Sequence, residues 1–240
     1  MWIELAYALP VAAAAGLMRG FAGVGSGMLM APFFIRLFGP VETVAIIIMM
    51  EVVVTAQILP AVYRLINWRV IGPMGLAAMA FMPLGNTLLT SLDPQWIARG
   101  VGVLVAGFAL VLMAGWRYTG IKPLPATLGV GALSGVLMAL TSLGNPPVML
   151  YLLSSQDDAA TNRANFTGYF AITLLALIAI MAWYGQLGRE PLTTTALLLP
   201  VFMFCAWLGA RMFRQANEAM YRRVALLILL GAGVFGVLKS

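Results

Sequence analysis

From residue 5 to residue 238 the chain is a succession of apolar stretches separated by short polar connections. Most stretches have about the 17–25 residues that an α-helix needs to cross the ~30 Å hydrocarbon core of a bilayer. In lipid only helices and closed barrels satisfy every backbone polar group, so run length constrains this chain more than any motif. Composition agrees: 62% of residues are hydrophobic and 9% charged, against about 25% charged in a soluble domain. No connection has room for a soluble domain. The expectation is an all-α polytopic protein, a single domain passing many times through the lipid bilayer. The net charge of +6 does not point to nucleic acid, because the basic residues sit in loops between spans, as in membrane orientation. Cys205 is the one cysteine, so no intrachain disulfide forms.

Hydropathy and turn residues place spans at 5–38, 43–63, 71–90, 97–116, 124–155, 164–185, 192–210 and 221–238. Two of them are interrupted, by "GVGSG" at 23–27 and by "SLGNPP" at 142–147. The interrupted segments resemble each other. With Ala15 to Met30 set over Ser134 to Met149, Gly16 meets Gly135, Gly25 meets Gly144 and Ser26 meets Asn145, an offset of 119 residues. Further on, Gly85 meets Gly209 and Arg99 meets Arg223, an offset of 124. One small insertion inside a duplicated unit accounts for both. The repeats are expected at 1–118 and 119–240.

Loop charge chooses the topology. If each interrupted segment crosses once, the 13 loop arginines and lysines divide 7 against 6, which is no bias. If each enters and returns as a hairpin, one side collects nine (Arg64, Arg69, Arg117, Lys122, Arg163, Arg211, Arg214, Arg222, Arg223) and the other four. Only the second division obeys the positive-inside rule. The stretch 5–38 is also too long for one crossing, at about 50 Å as a helix. Each repeat then reads as a broken-helix hairpin plus three transmembrane helices, an odd number of crossings, so the second copy is inverted. Inverted repeats with broken helices are a transporter architecture. Both termini are expected on the periplasmic side.

A helix that starts inside a membrane leaves its first N–H groups without partners, and with the helix dipole these attract an anion. Ser26 is expected to cap a half-helix over Gly27 to Phe38. Asn145 is expected to cap one with Pro146 in its first position. The candidate anion site is Arg19, Gly23, Gly25, Ser26 and Gly27 at the first break and Thr141, Ser142, Gly144 and Asn145 at the second, brought together near the midplane. The bland reading is that the glycines merely allow turns or close helix packing. It covers one break better than two in matching repeat positions. Arg19 is costly in lipid and marks a ligand or an ion pair. Glu51, the one acidic residue inside the apolar spans, is open to two roles: partner of Arg19, or a carboxylate coupling protons to transport. Gln57, Asn86, Asn165 and Thr167 also qualify as lining residues, and equally as helix–helix hydrogen-bonding residues.

An intramembrane enzyme is disfavoured. The chain has no histidine, and Ser26 lacks the second flanking glycine of a nucleophile elbow. Lys122 and Lys239 lie at interfaces, and Glu51 with Cys205 makes no metal cluster. No dinucleotide fingerprint is present, so neither cofactor nor metal is expected. A membrane scaffold would explain many helices and short loops, though not the paired breaks.

The breaks "GFAGVGSGMLMAP" and "GVLMALTSLGNPP", with the repeat ends "LGN…R" and "LGARM…RR", resemble the TauE/SafE family of sulfite and organosulfonate exporters over essentially the whole chain. The resemblance implies outward movement of a small sulfur oxyanion or sulfonate across the bacterial inner membrane. It also implies that the glycine-rich segments flank the substrate path.

Overall fold

A computed structural model of the chain describes residues 2–22, 25–114, 123–141, 145–152 and 159–213. Among these residues the only regular elements are helices. They are α1 (Trp2–Ala22), α2 (Ser26–Phe38), α3 (Pro40–Val62), α4 (Trp68–Ser91), α5 (Pro94–Met113), α6 (Leu124–Thr141), α7 (Asn145–Leu152), α8 (Ala159–Trp183) and α9 (Arg189–Phe213). A 3-10 turn, Tyr63–Leu65, follows α3. Among the described residues five stretches are long and apolar enough to cross a membrane: Pro40–Leu65, Trp68–Ser91, Leu124–Thr141, Ala164–Trp183 and Arg189–Met212. The protein is therefore all-α and polytopic. The expected span 221–238 and the boundary between residues 118 and 119 lie outside the described residues.

Several helices start about one turn earlier than hydropathy places them, for a local reason. Pro40 and Pro94 occupy first helical positions, where a missing N–H costs nothing. Asp93 caps α5 by accepting a hydrogen bond from the Gln95 amide at 2.7 Å.

The helices form two compact units. One comprises Met1–Ile47, Leu92–Gly115 and Leu187–Ser240; the other comprises Ile48–Ser91 and Trp116–Gln186. In the first unit α1 packs on α9 and α2, and α2 on α5. In the second α4 packs on α6 and α8, and α7 on α6 and α8.

Close backbone approach fixes the register of both main pairs. A Cβ at Gly16 would strike the Phe202 carbonyl, and one at Gly209 the Leu17 carbonyl. In the second unit a Cβ at Gly135 would strike the Ala78 carbonyl, and one at Gly85 the Val136 carbonyl. The offsets of 119 and 124 residues carry the first pair of contacts onto the second, residue for residue. Without a hydrophobic force between helices in lipid, such small-residue contacts let dispersion and polar attraction act at short range.

The same contacts give directions. Gly131 meets Met74 and Gly135 meets Ala78, so α4 and α6 run parallel. Gly75 meets Ile172, and the Asn67 amide donates to Asn165 Oδ1 at 2.7 Å, so α8 starts at the end where α4 starts. With α6 and α8 starting at one end, the segment α6–α7 must enter and return. Tyr151 in the last turn of α7 meets Thr127 in the first turn of α6, hydroxyl to hydroxyl at 2.6 Å. In the first unit, Glu4 at the start of α1 and Glu190 at the start of α9 lie close enough to Glu42, at the start of α3, for their charges to act on it. The segment α1–α2 therefore also returns to the end it left. Arg64, Arg69 and the backbone of Arg163 share one end of the second unit, a grouping incompatible with a single crossing.

Gly135→Val should drive α6 off α4 and cost at least the ~1–3 kcal/mol typical of overpacking. Gly129→Val, with no atom within 4 Å of the added Cβ, should be tolerated. Thermal unfolding of purified protein in detergent measures both; equal stability of the two variants would contradict the packing described.

Candidate functional site

At the first break α1 ends at Ala22, and Gly25 adopts a left-handed conformation, φ 96° and ψ −10°. Only glycine enters that region without steric cost, and here it lets the chain reverse and restart as a helix. Gly25, not Ser26, occupies the N-cap position, and no side chain caps α2. The expected capping role of Ser26 is corrected by one position, because Ser26 already has helical geometry. The first bond of α2 runs from the Leu29 amide to the Gly25 carbonyl, 3.1 Å. The amides of Ser26, Gly27 and Met28 precede that bond at the positive end of the α2 dipole. These residues are buried, Ser26 to 2% exposure.

Arg19 lies in the last turn of α1, and at 1% exposure it is among the largest fully buried side chains. A guanidinium cannot shed its proton, so its charge stays where lipid or protein excludes water, a cost offset only by an anion or by polar neighbours. In the same unit Gly25 and Gly27 are buried with Ser26. Gly23 lies outside the described residues.

The second break is different. Thr141 closes α6 with its hydroxyl bonded back to the Leu137 carbonyl at 2.6 Å, and it is buried. The helix α7 starts at Asn145 itself, so Asn145 too is a first helical residue and not the expected cap. Pro146 and Pro147 follow, and proline has no N–H. The first turn of α7 thus offers far fewer amide donors than that of α2. Ser142 and Gly144 lie outside the described residues.

Glu51 is 3% exposed, on the part of α3 that belongs to the second unit. Gln57 is exposed and does not line an interior site. Asn165 is spent on the Asn67 amide, the helix-anchoring alternative. Thr167 and Asn86 are both buried.

The sequence reading missed a row of hydroxyls along α6. Thr127, Ser134 and Thr141 recur every seven residues and share one buried face. Thr127 meets Tyr151 of α7, and Ser134 accepts from the Tyr169 hydroxyl of α8 at 2.8 Å. The seven-residue spacing was legible; the tyrosine partners were not.

An all-helical chain with several bilayer-length helices and two broken segments that fold back defines a polytopic membrane protein of the kind transporters are built on. The family model for the sulfite exporter TauE/SafE matches residues 8–236, and the chain belongs to that family. It is a multi-pass membrane transporter. Among its relatives is the probable sulfite/organosulfonate exporter TauE of Cupriavidus necator, 24% identical over 221 residues, covering 88% of this chain and 85% of that protein. Another is the probable inner membrane transporter protein TsaS of Comamonas testosteroni, 26% identical over 182 residues, covering 72% of this chain and 73% of that one. No solved structure matches the chain.

Gly25→Ala should destabilise the protein by about 1–2 kcal/mol, since an L-residue pays that much for the left-handed region. The added methyl would also meet the Met18 side chain. A thermal unfolding midpoint indistinguishable from wild type would show that the turn is not held as described.

Proposed function

We propose that the protein exports a small sulfur oxyanion or organosulfonate, sulfite-like in size and charge, across the bacterial inner membrane. The observation that carries the reading is the buried Arg19 in the last turn of α1, one turn before the break that leads to a buried helix start. There a permanent positive charge and three leading amides serve one short segment. The residues assigned to anion binding are Arg19, Gly23, Gly25, Ser26 and Gly27 at the first break, and Thr141, Ser142, Gly144 and Asn145 at the second. The first break supplies most of the donors, because Pro146 and Pro147 remove two from the second.

Transport proceeds by alternating access between two inverted repeats, 1–118 and 119–240. The matching of the Gly16 and Gly209 contacts by those of Gly135 and Gly85 supports the duplication. A hairpin that returns to its own side, followed by three crossings, delivers the chain to the opposite side, so the second copy is inverted. Both termini then lie in the periplasm. The relatives' names, a sulfite/organosulfonate exporter and an inner membrane transporter, favour this substrate class and this membrane.

Glu51 supports two further readings, an ion pair with Arg19 or a proton-coupling carboxylate. Both are motivated by its burial at 3% exposure inside an apolar helix.

Sulfite flux into proteoliposomes tests the site. Arg19→Ala should lower flux at least 100-fold, the order expected when a charge-assisted contact of about 3 kcal/mol is lost. The variant should still insert and unfold cooperatively. Wild-type flux in Arg19→Ala would remove Arg19 from the site. For coupling, flux by Glu51→Gln is compared with and without an imposed pH gradient. A response equal to wild type would exclude Glu51 as the proton carrier.

A further inference from the structure

Among the described connections between helices, the one from α3 to α4, "YRLINWR" over residues 63–69, carries arginine with no carboxylate beside it. Elsewhere Arg36 has Glu42 across the α2–α3 connection, Arg99 has Asp93, and Arg189 has Glu190. Arg64 and Arg69 are both exposed, and neither forms an ion pair among the described residues. The one described carboxylate of their unit, Glu51, is buried more than three turns back along α3. Arg69 also falls in the first turn of α4, at the positive end of the helix dipole, and no acidic residue shares that turn. Positive charge is thus concentrated where the helix itself disfavours it.

The connection is firmly seated at the membrane surface. The spans Pro40–Leu65 and Trp68–Ser91 end and begin there. Ile66 is buried against Gly168 of α8, and the Asn67 amide donates to Asn165 Oδ1 at 2.7 Å. On either side of this anchor stand the half-exposed Tyr63, Leu65 and Trp68. Tyrosine and tryptophan favour headgroup depth, where the ring is in apolar surroundings and the polar tip is wet. The Tyr63 hydroxyl accepts from Arg64 Nε at 3.0 Å, which leaves the terminal nitrogens of that guanidinium for another acceptor. We propose that this connection binds an anionic phospholipid, its phosphodiester held by Arg64 and Arg69 and its chains lying along Leu65 and Trp68. A zwitterionic lipid offers the same phosphate but brings an ammonium group toward the two arginines, so the surface discriminates by net charge. Clustered basic residues at a membrane surface recognise anionic headgroups in this way. The assignment does not depend on what the protein transports.

The test is the rise in unfolding temperature of the purified protein in detergent, titrated with phosphatidylglycerol and with phosphatidylcholine. Wild type should be stabilised by phosphatidylglycerol at lower concentration. Arg64→Gln combined with Arg69→Gln should weaken that apparent affinity about 25-fold, about fivefold for each arginine, and leave phosphatidylcholine unchanged. Arg189→Gln, in the other unit, should alter neither. Equal response of wild type to the two lipids, or an undiminished phosphatidylglycerol response in the folded double variant, would overturn the assignment. If the double variant does not insert, wild type decides: its preference should fall between 0.1 and 1 M salt, as the Debye length shrinks from about 10 to 3 Å. A preference indifferent to salt would overturn the role of the arginines. Glycerol 3-phosphate, the same phosphate chemistry without chains, should not reproduce the effect; equal stabilisation by it would replace the lipid with a soluble phosphate.

Discussion

Everything in this molecule follows from the cost of an unpaired backbone group in lipid. Uninterrupted helices meet that cost internally, and helices are the only regular elements among the described residues. At Gly25 it departs from the rule, ending one helix and starting another with a buried first turn. Amides exposed in such a place are tolerated only where protein, or a ligand, answers them. A broken helix is thus a liability of the fold, and in the function proposed it is the seat of the anion.

The rest of the fold holds these breaks in place. Glycines at the α1–α9 and α4–α6 contacts bring the backbones close enough for a fixed register. The hydroxyl row on α6 ties α7 and α8 to the second break's hairpin, each hydrogen bond adding about 0.6–2 kcal/mol in a membrane setting. Each unit draws helices from both halves of the sequence: α1, α2 and α5 with α9, and α4 with α6, α7 and α8. Neither half can complete its packing without the other. Arg19 is the exception to this economy. Met138, the residue 119 positions on that the duplication proposed above would pair with it, is buried at 1% exposure and carries no charge.

Five of the expected spans and the two interruptions were legible in the sequence because run length and glycine placement report directly on lipid. Helix starts were missed by a turn at Pro40 and Pro94, where residues that break a helix interior favour its first position. The caps were misplaced by one residue, since serine or asparagine next to a glycine suggests a side-chain cap, while Gly25 needs none. Within an apolar helix, polarity does not tell which way a side chain faces: Gln57 is exposed and Glu51, six residues before it, is buried. Nor could the sequence separate Asn165, bonded to a distant amide, from Asn86, whose Oδ1 has none. The loss of donors at Pro146 and Pro147 was readable in principle, and makes the two breaks unequal.

The most direct test is to locate the anion. Selenite, the heavier analogue of sulfite, can be bound to the purified protein and its selenium found by anomalous scattering. The account predicts a peak within hydrogen-bonding reach of the Arg19 guanidinium and the Ser26–Met28 amides. A selenium peak away from both breaks, in a protein shown to transport selenite, would contradict it.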